Sequence, residues 1–162
     1  MKVNVVLMRG LLGWYYSRGM DELGSKLAKL ENVDYVTVED YYRWRNIRKR
    51  LNAWMQPTVL IGHSFGANAA VKIANKLRKD TPLVVTVDPS QFFSVTLLSS
   101  GVEKPSNKIK KLLNFYQTRS TIGSVEIAGD QVENIEVKDA NHVSIDDKRS
   151  VHERIIEEIS KL

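Results

Sequence analysis

A Gly-x-Ser-x-Gly motif lies at residues 62–66, with Ser64 at its centre. The apolar run at 58–61 predicts a short buried strand just before it, and apolar residues at helical spacing predict a helix over 65–79. A strand that turns sharply into a helix exposes a serine hydroxyl at the end of the sheet, where it can act as a nucleophile. Glycine fits both ends of the motif, because side chains there would collide with the neighbouring strand and helix. We therefore interpret Ser64 as a candidate nucleophile; a serine that merely tolerates a tight turn is the alternative.

Three histidines are candidate partners for this serine. His142 is favoured, because it follows a strand-like stretch at 135–138 and so lies at the carboxyl end of a strand, where open α/β sheets assemble their sites. A capping or loop role is the alternative for His142. His63 is adjacent to the serine, but successive side chains diverge, so we interpret it as a packing residue that could secondarily line the site. His152 falls within a predicted terminal helix and is interpreted as a surface residue.

Strand-like and helix-like stretches alternate along the chain. The predicted strands lie at 3–8, 35–38, 58–61, 83–87 and 112–116, with two further short strands joined around Gly129 within 124–138. The predicted helices lie at 20–30, 42–54 and 65–79, followed by a terminal helix whose first turn Ser144 or Asp146 could cap. This alternation predicts an α/β fold, a three-layer α/β/α sandwich with a mainly parallel sheet. No repeat or Pro/Gly-rich linker divides the chain, so a single domain is predicted over residues 1–162.

The composition excludes several classes of site. The 162 residues include no cysteine, which excludes disulfides and a cysteine nucleophile. Three scattered histidines without HExxH spacing, and no P-loop, dinucleotide-binding fingerprint or paired-carboxylate spacing, predict neither a metal nor a cofactor. The first apolar run, at 3–8, is too short for a membrane span and no cleavage site follows it, so we predict a soluble, cytoplasmic protein without a transmembrane segment.

The net charge of +5 raises the question of a nucleic-acid partner. Five cations cluster within 43–50, which could suit a phosphate backbone. Trp44, Ile47 and Leu51 interleave with these cations at helical spacing, which favours a solvated helix face instead. A nucleic-acid partner is therefore not expected, and the sequence does not indicate an oligomeric state.

The order of strand, Gly-x-Ser-x-Gly motif, alanine-rich helix and late histidine resembles the α/β-hydrolase superfamily, and particularly its lipase and esterase members. The segment at 141–146 also looks like the histidine loop of lipase-like hydrolases. The resemblance implies a small α/β-hydrolase fold and a serine hydrolase that cleaves carboxylic esters through an acyl-enzyme. In that family the serine attacks the carbonyl, a histidine takes its proton and an acid orients the histidine. Ser64 and His142 would take the first two roles.

The acid implied by the resemblance is assigned to Asp88. It directly follows the predicted strand at 83–87, beside the nucleophile strand. Many family members carry the acid one strand later, but the stretch at 114–119 contains no carboxylate here, and a subset of lipases carries it at the place of Asp88. Asp130, at a predicted hairpin tip, and Asp139, three residues from the histidine, are the alternatives. A turn residue before proline is the non-catalytic interpretation of Asp88.

An oxyanion hole needs two backbone amides aimed at the developing negative charge. Phe65 supplies one candidate amide, since it follows the nucleophile. The resemblance implies that Leu11, in the loop after the first strand, supplies the second. Arg9 stands where a histidine is commoner in this loop of the family.

Aromatic residues in two loops are predicted to form the substrate pocket. Trp14 and Tyr15 follow the oxyanion loop, and Phe92 and Phe93 follow Asp88. We interpret them as walls of an acyl pocket, with packing beneath the loops as the alternative. The room between Asp88 and the next strand suits a short lip, so a small or extended acyl ester is the expected substrate.

Two other functions remain open at this stage. Thioester or amide hydrolysis would use the same groups. A non-catalytic binding protein of the same fold would use the pocket as a receptor, but such a protein has no need of Ser64, Asp88 and His142 together.

Overall fold

The computed structural model describes residues 2–90, 102–119 and 126–162. Six strands in this part of the chain form one sheet in the order β2-β1-β3-β4-β5-β6, and every neighbouring pair is parallel. The strands are β1 (Val3–Arg9), β2 (Val33–Asp40), β3 (Thr58–His63), β4 (Val84–Val87), β5 (Leu112–Tyr116) and β6 (Val132–Glu136). The predicted parallel sheet is confirmed.

Both faces of the sheet are buried, which explains the continuous apolar runs in the sequence. Side chains alternate across the sheet, so Val5 and Leu7 of β1 enter one core while Val6 and Met8 enter the other. Each face is covered by helices, and the result is the predicted three-layer α/β/α sandwich.

In the described part of the chain, two helices lie on each face of the sheet. A further short helix follows the loop at the carboxyl end of β1. The helices are α1 (Gly13–Tyr16), α2 (Arg18–Leu27), α3 (Trp44–Leu51), α4 (Phe65–Lys76) and α5 (Arg149–Ser160). Apolar residues of α2 and α5 enter one core, and those of α3 and α4 enter the other. None of the helices in the described residues is long and apolar enough to cross a membrane.

In the cation-rich helix α3, the cations lie on a solvated face, as the sequence predicts. Ile47 and Leu51 are buried against the sheet, while Arg45 and Lys49 are exposed. Arg43 and Arg50 form ion pairs with the carboxylate of Glu39, at 3.2 and 2.5 Å. The cations therefore lie on the outer side of an amphipathic helix.

The hairpin predicted within 124–138 is wrong in the described residues. Only β6 is a strand there, it pairs parallel with β5, and residues 126–131 contain no strand. The side chain of Asn134 takes the place of a strand partner for the backbone of Ile127. Its amide nitrogen donates to the carbonyl of Ile127 at 3.0 Å, and its oxygen accepts from the amide of Ile127 at 2.9 Å. One side chain thus satisfies backbone groups that a strand partner would otherwise take.

The predicted start of the terminal helix is also wrong. The helix α5 begins at Arg149, and neither Ser144 nor Asp146 caps it, because Ile145–Asp147 forms a separate 3-10 turn. His152 is a buried residue of α5 rather than a surface residue. Its Nε2 lies 2.6 Å from the carbonyl oxygen of Asp146, which ties the helix to the turn before it.

The remaining helix boundaries differ by a few residues. The predicted helix over 65–79 ends at Lys76, because the backbone of Leu77 is extended. The stretch predicted as helical from 42 begins as a 3-10 turn and becomes α-helical at Trp44.

The strand order places a topological switch point between β1 and β3. From β1 the chain crosses to β2 on one side and then returns to β3 on the other side. In open α/β sheets, the loops at the carboxyl ends of two such strands diverge and leave a crevice between them. The loop that begins at Gly10 and the turn at Ser64 lie at this crevice.

Candidate active site

Ser64 occupies the sharp turn between β3 and α4, as the motif predicts. A Cβ on Gly62 would lie 2.1 Å from the carbonyl oxygen of Gly66, and a Cβ on Gly66 would lie 2.1 Å from that of Met8. No side chain fits at those distances. The two glycines therefore allow the helix to begin directly against the sheet, with the serine at its first turn.

Backbone strain is concentrated around this turn. Within the described residues, the non-glycine residues with positive φ are Leu12 (49°), Ser64 (56°) and Asp88 (44°). Such conformations are unfavourable for L-residues and persist where the surrounding structure imposes them, often at functional sites. All three follow carboxyl ends of central strands, which marks this edge of the sheet as the candidate site.

The structure brings Ser64, His142 and Asp88 into one line of hydrogen bonds. Nδ1 of His142 lies 2.7 Å from Oδ2 of Asp88, and Nε2 lies 3.0 Å from Oγ of Ser64. With the carboxylate as acceptor, Nδ1 carries the ring proton, so Nε2 is free to accept the serine hydroxyl proton. Asp88 is fully buried, whereas the His142 side chain is partly exposed.

The alternative acids lie elsewhere. Asp130 is exposed in the turn before β6, at the amino end of a parallel strand and hence at the opposite edge of the sheet. Asp139 is exposed and forms an ion pair with Lys148 at 2.9 Å. Of the three candidates, the geometry places Asp88 against the imidazole.

The loop that carries His142 is folded by its neighbour Asn141. The side-chain oxygen of Asn141 accepts from the amides of Val143 and Ser144, both at 3.0 Å. The hydroxyl of Ser144 accepts from the amide of Asn141 at 3.1 Å. These local bonds hold a tight turn without a regular element, and they set the direction of the imidazole.

A residue that sequence reasoning missed holds the buried carboxylate. Gln117 follows β5, is 1% exposed, and its Nε2 donates to Oδ2 of Asp88 at 2.9 Å. The oxygen of the same amide accepts from the backbone of Arg119 at 2.8 Å, which fixes the orientation of the amide. The signal in the sequence was its position: Gln117 follows the strand after which many α/β-hydrolases carry the acid itself.

The two residues predicted to supply the oxyanion amides lie next to the serine at the same cavity. Phe65 begins α4, so its amide has no partner within the helix, and the helix N-terminus adds a favourable field for negative charge. Gly10 packs so closely that a Cβ there would lie 2.8 Å from Cβ of Ser64. The amide of Gly10 is used by Oγ of Ser17 at 3.2 Å, which leaves the next amide, that of Leu11, for the site. Both predicted oxyanion residues thus border the nucleophile.

Arg9, at the unusual position of this loop, points away from the nucleophile. Its Nε donates to Asp21 of α2 at 2.9 Å, and its guanidinium lies 3.5 Å from the carboxylate of Asp40. The side chain therefore fastens the start of the loop to α2 and β2.

A cavity of about 420 Å³ opens over the serine. Besides Ser64 and His142, its lining includes Leu11, Tyr16, Phe65 and Val143. Its volume and its largely carbon surface are typical of a pocket for a small organic ligand.

In the described part of the chain, the cavity is not lined by the aromatic residues that the sequence predicts as its walls. Trp14 and Tyr15 are 73% and 62% exposed and do not line the cavity, so their assignment as its walls is corrected. Tyr16 takes that position, because on the single turn of α1 the next side chain faces inward. Phe92 and Phe93 lie outside the described residues.

A second histidine and carboxylate are buried beside the site, and the histidine, His63, also lines the cavity, as the sequence interpretation allowed. Burial lowers the pKa of His63 to about 4, and burial raises the pKa of Asp146 to about 8. The carboxylate lies 3.8 Å from Nδ1 of His63 and has no hydrogen-bond partner among the described residues. Both groups are therefore neutral near neutral pH.

No group of three or more potential metal-ligating side chains is found in the described residues.

Comparison with solved structures finds proteins that share this architecture. A protein from Xanthomonas campestris pv. campestris assigned to the alpha/beta hydrolase superfamily is 12% identical with a TM-score of 0.65, covering 100% of both chains. A structure from the work on LipS and LipT, two metagenome-derived lipolytic enzymes, is 12% identical with a TM-score of 0.69, covering 99% of this chain and 94% of that one. The chain has the α/β-hydrolase fold.

A third structure, ClbQ from the colibactin NRPS/PKS pathway, is 8% identical with a TM-score of 0.60 and covers 99% of this chain and 96% of that chain. No family model and no curated protein matches the sequence. Identities this low establish the α/β-hydrolase fold alone, so the reaction must be inferred from the site.

Proposed function

We propose that this α/β-hydrolase-fold protein is a serine hydrolase that cleaves carboxylic esters through an acyl-enzyme. The observation that carries the proposal is the line of hydrogen bonds from Asp88 through His142 to Ser64, which ends at the floor of an apolar cavity. A receptor would gain nothing from a strained serine turn with an imidazole aimed at its hydroxyl. Lipolytic enzymes with the same fold support the proposal.

The acylation step follows from the tautomer of His142. Oγ of Ser64 attacks the ester carbonyl while Nε2 of His142 takes its proton. The carbonyl oxygen becomes an oxyanion, which the amides of Phe65 and Leu11 stabilise. Asp88 stabilises the imidazolium through Nδ1. When the tetrahedral intermediate collapses, the bond to the alkoxy group breaks and Nε2 returns the proton to the departing alcohol.

Deacylation repeats these steps with water. Nε2 takes a proton from a water molecule, the hydroxide attacks the acyl carbonyl, and the proton returns to Oγ of Ser64 as the carboxylic acid leaves. The same amides hold the oxyanion a second time. His142 thus acts as base and then as acid in each half, and Ser64 is the nucleophile in the first half and the leaving group in the second.

The cavity favours a small apolar acyl group. Leu11, Tyr16 and Val143 are each about half exposed at its rim, where they present carbon surface to a ligand. A panel of matched esters, thioesters and amides of increasing acyl length tests the substrate. The proposal expects the highest kcat/KM with short acyl esters, and activity only with long micellar substrates would contradict it.

A fluorophosphonate probe tests the nucleophile directly. We expect the probe to label one residue, Ser64, and we expect Ser64→Ala to abolish labelling and to lower the turnover of p-nitrophenyl acetate by at least about 1000-fold. The matched control is Ser25→Ala, since the Ser25 hydroxyl donates to the carbonyl of Asp21 on the exposed side of α2. Labelling that survives Ser64→Ala would refute the proposed function.

A further inference from the structure

A series of hydrogen bonds runs beside the site and forms a hydrogen-bond chain. It joins Gly10, in the proposed oxyanion loop, to the backbone of His142, the proposed base. The amide of Gly10 donates to Oγ of Ser17 at 3.2 Å. Oγ of Ser17 lies 2.8 Å from Nδ1 of His63, and Nε2 of His63 lies 2.8 Å from the carbonyl oxygen of His142. Ser17 and His63 are each 1% exposed, although both contribute to the wall of the cavity.

The proton positions in this chain are fixed by its two ends. A carbonyl oxygen can only accept, so Nε2 of His63 carries the ring proton and donates to His142. Nδ1 of the neutral ring is then an acceptor, and the hydroxyl of Ser17 donates to it. The same oxygen accepts from the amide of Gly10, so all donors and acceptors along the chain are satisfied.

The surroundings of His63 keep its ring neutral. Burial is the main cause that lowers its pKa to about 4, and a positive charge on His142 lowers it further. The imidazolium that forms on His142 during acylation therefore opposes protonation of His63. The carboxylate of Asp88 raises the pKa of His63 but does not outweigh burial, and Asp146 is itself neutral near neutral pH because burial raises its pKa to about 8.

We propose that His63 is a positioning residue that fixes the spacing between the oxyanion loop and the proposed base. This inference rests on the proposed function. Through Ser17 the ring holds Gly10, which directly precedes the oxyanion amide of Leu11, and through Nε2 it holds the backbone of His142. The two parts of the machinery come from opposite ends of the chain, and one buried ring joins them.

The effect on catalysis follows from geometry. The nucleophile, the base and the oxyanion donors must keep their distances within about 0.5 Å, and a misplacement of about 1 Å can cost on the order of 100-fold in rate. A defect in this chain would displace the imidazole and the Leu11 amide relative to each other. It should therefore lower kcat and leave KM nearly unchanged.

Substitutions at His63 and Ser17 distinguish the bond from His63 to the carbonyl of His142 from the bond between Ser17 and His63. His63→Phe keeps a ring in the buried space but removes both nitrogens, and we expect it to lower kcat about 100-fold. His63→Gln places an amide donor at the reach of Nε2, and we expect it to restore kcat to within about 10-fold of the wild type. Ser17→Ala should lower kcat about 10-fold, with no additional loss in the His63→Phe background, because the chain is already broken there.

The matched control is His152→Phe, the same change at the other buried histidine of the described residues. It should lower the melting temperature and leave kcat within about twofold, since His152 contacts neither the loop of Gly10 nor His142. A kcat of His63→Phe within twofold of the wild type would overturn the inference. Equal losses in His63→Gln and His63→Phe would do the same, as would an equal loss in His152→Phe.

An NMR measurement tests the inference apart from hydrolysis. The ¹⁵N spectrum of the wild-type imidazoles at pH 7 should show His63 neutral with its proton on Nε2. A proton on Nδ1, or a charged ring at pH 7, would refute the hydrogen-bond chain even if Ser64 is labelled by fluorophosphonate. If Ser64 is not labelled, the proposed function fails while this spectrum still decides the bonding of His63.

Discussion

Two carboxylates lie close to two imidazoles in this protein, and their surroundings differ. Asp88 and Asp146 are both fully buried, and their Oδ2 atoms lie 2.7 and 3.8 Å from Nδ1 of His142 and His63. Asp88 accepts from the imidazole and from the amide of Gln117. Asp146 has no hydrogen-bond partner in the described part of the chain.

The difference shows that burial alone does not make a carboxylate useful as a triad acid. Donors aimed at the oxygens stabilise the charged form, whereas desolvation without donors stabilises the neutral form. The pKa of Asp146 is accordingly raised by burial to about 8, an effect that the nearby backbone amides of Asp146 and Gly19 only partly offset. Asp88 and His142, the first pair, lie at the substrate cavity, where the carboxylate can stabilise a positive charge on the imidazole. Asp146 and His63, the second pair, are both neutral near neutral pH.

The largest expected loss of kcat comes from changing Asp88, and it distinguishes Asp88 from the alternative acids. Asp88→Asn should lower kcat for p-nitrophenyl acetate by about 1000- to 10,000-fold, because an amide donor at Nδ1 favours the wrong tautomer of His142. The control is Asp130→Asn, an exposed residue that should keep kcat within about twofold. A large loss in the control with none in Asp88→Asn would show that the acid is Asp130.

A smaller effect is expected from the amide that holds the first carboxylate. Gln117→Met keeps the length of the side chain but removes the donor to Asp88, and we expect kcat to fall about 10-fold, as for a lost hydrogen bond to a charged group. Steady-state kinetics on the same ester measures it. Gln131→Met is the matched control, because the Gln131 amide donates to the carbonyl of Ser106 at 3.2 Å, away from Asp88. Equal rates in both variants would mean that Gln117 does not act through the acid.

The positions of Ser64, Asp88 and His142 could be predicted from the sequence, because parallel strands bring their carboxyl ends to one edge of the sheet. Ser64 and Asp88 directly follow strands, so their placement depends only on recognising those strands. His142 needed a loop, but that loop is short and follows β6. The order of elements, together with the family resemblance, was therefore enough to nominate these three side chains, although Asp130 and Asp139 stayed open as the acid.

The features that could not be predicted depend on side-chain direction in irregular segments. Which of Trp14, Tyr15 and Tyr16 faces the cavity depends on a rotation of the single turn of α1. Asp146 was expected to cap a helix, but a 3-10 turn carries it into the interior. Gly19 makes room for that turn, since a Cβ there would lie 2.1 Å from the carbonyl oxygen of Asp146. Neither periodicity nor motif spacing contains such information.

The smallest effect on catalysis, and a clear effect on stability, is expected at the second carboxylate. Folded Asp146 keeps its proton between its ordinary pKa of 3.8 and about 8, where the unfolded chain has released it. The free energy of unfolding therefore falls as pH rises through this range, by at most about 1.4 kcal/mol per pH unit. Asp146→Asn imitates the protonated form and does not titrate, so it should be more stable than the wild type at pH 8, by a few kcal/mol.

The pH window for this comparison is set by His63. Because the pKa of His63 falls from 6.5 to about 4 on folding, His63 adds stability as pH rises from about 4 to 6.5, which opposes the loss from Asp146. Above pH 6.5 only the loss remains. Melting temperatures between pH 6.5 and 8.5 should thus diverge, with Asp146→Asn melting about 5 °C or more above the wild type at pH 8. The exposed Asp130→Asn should follow the wild type, and parallel curves for all three proteins would show that Asp146 is charged in the fold and that the two carboxylates are alike.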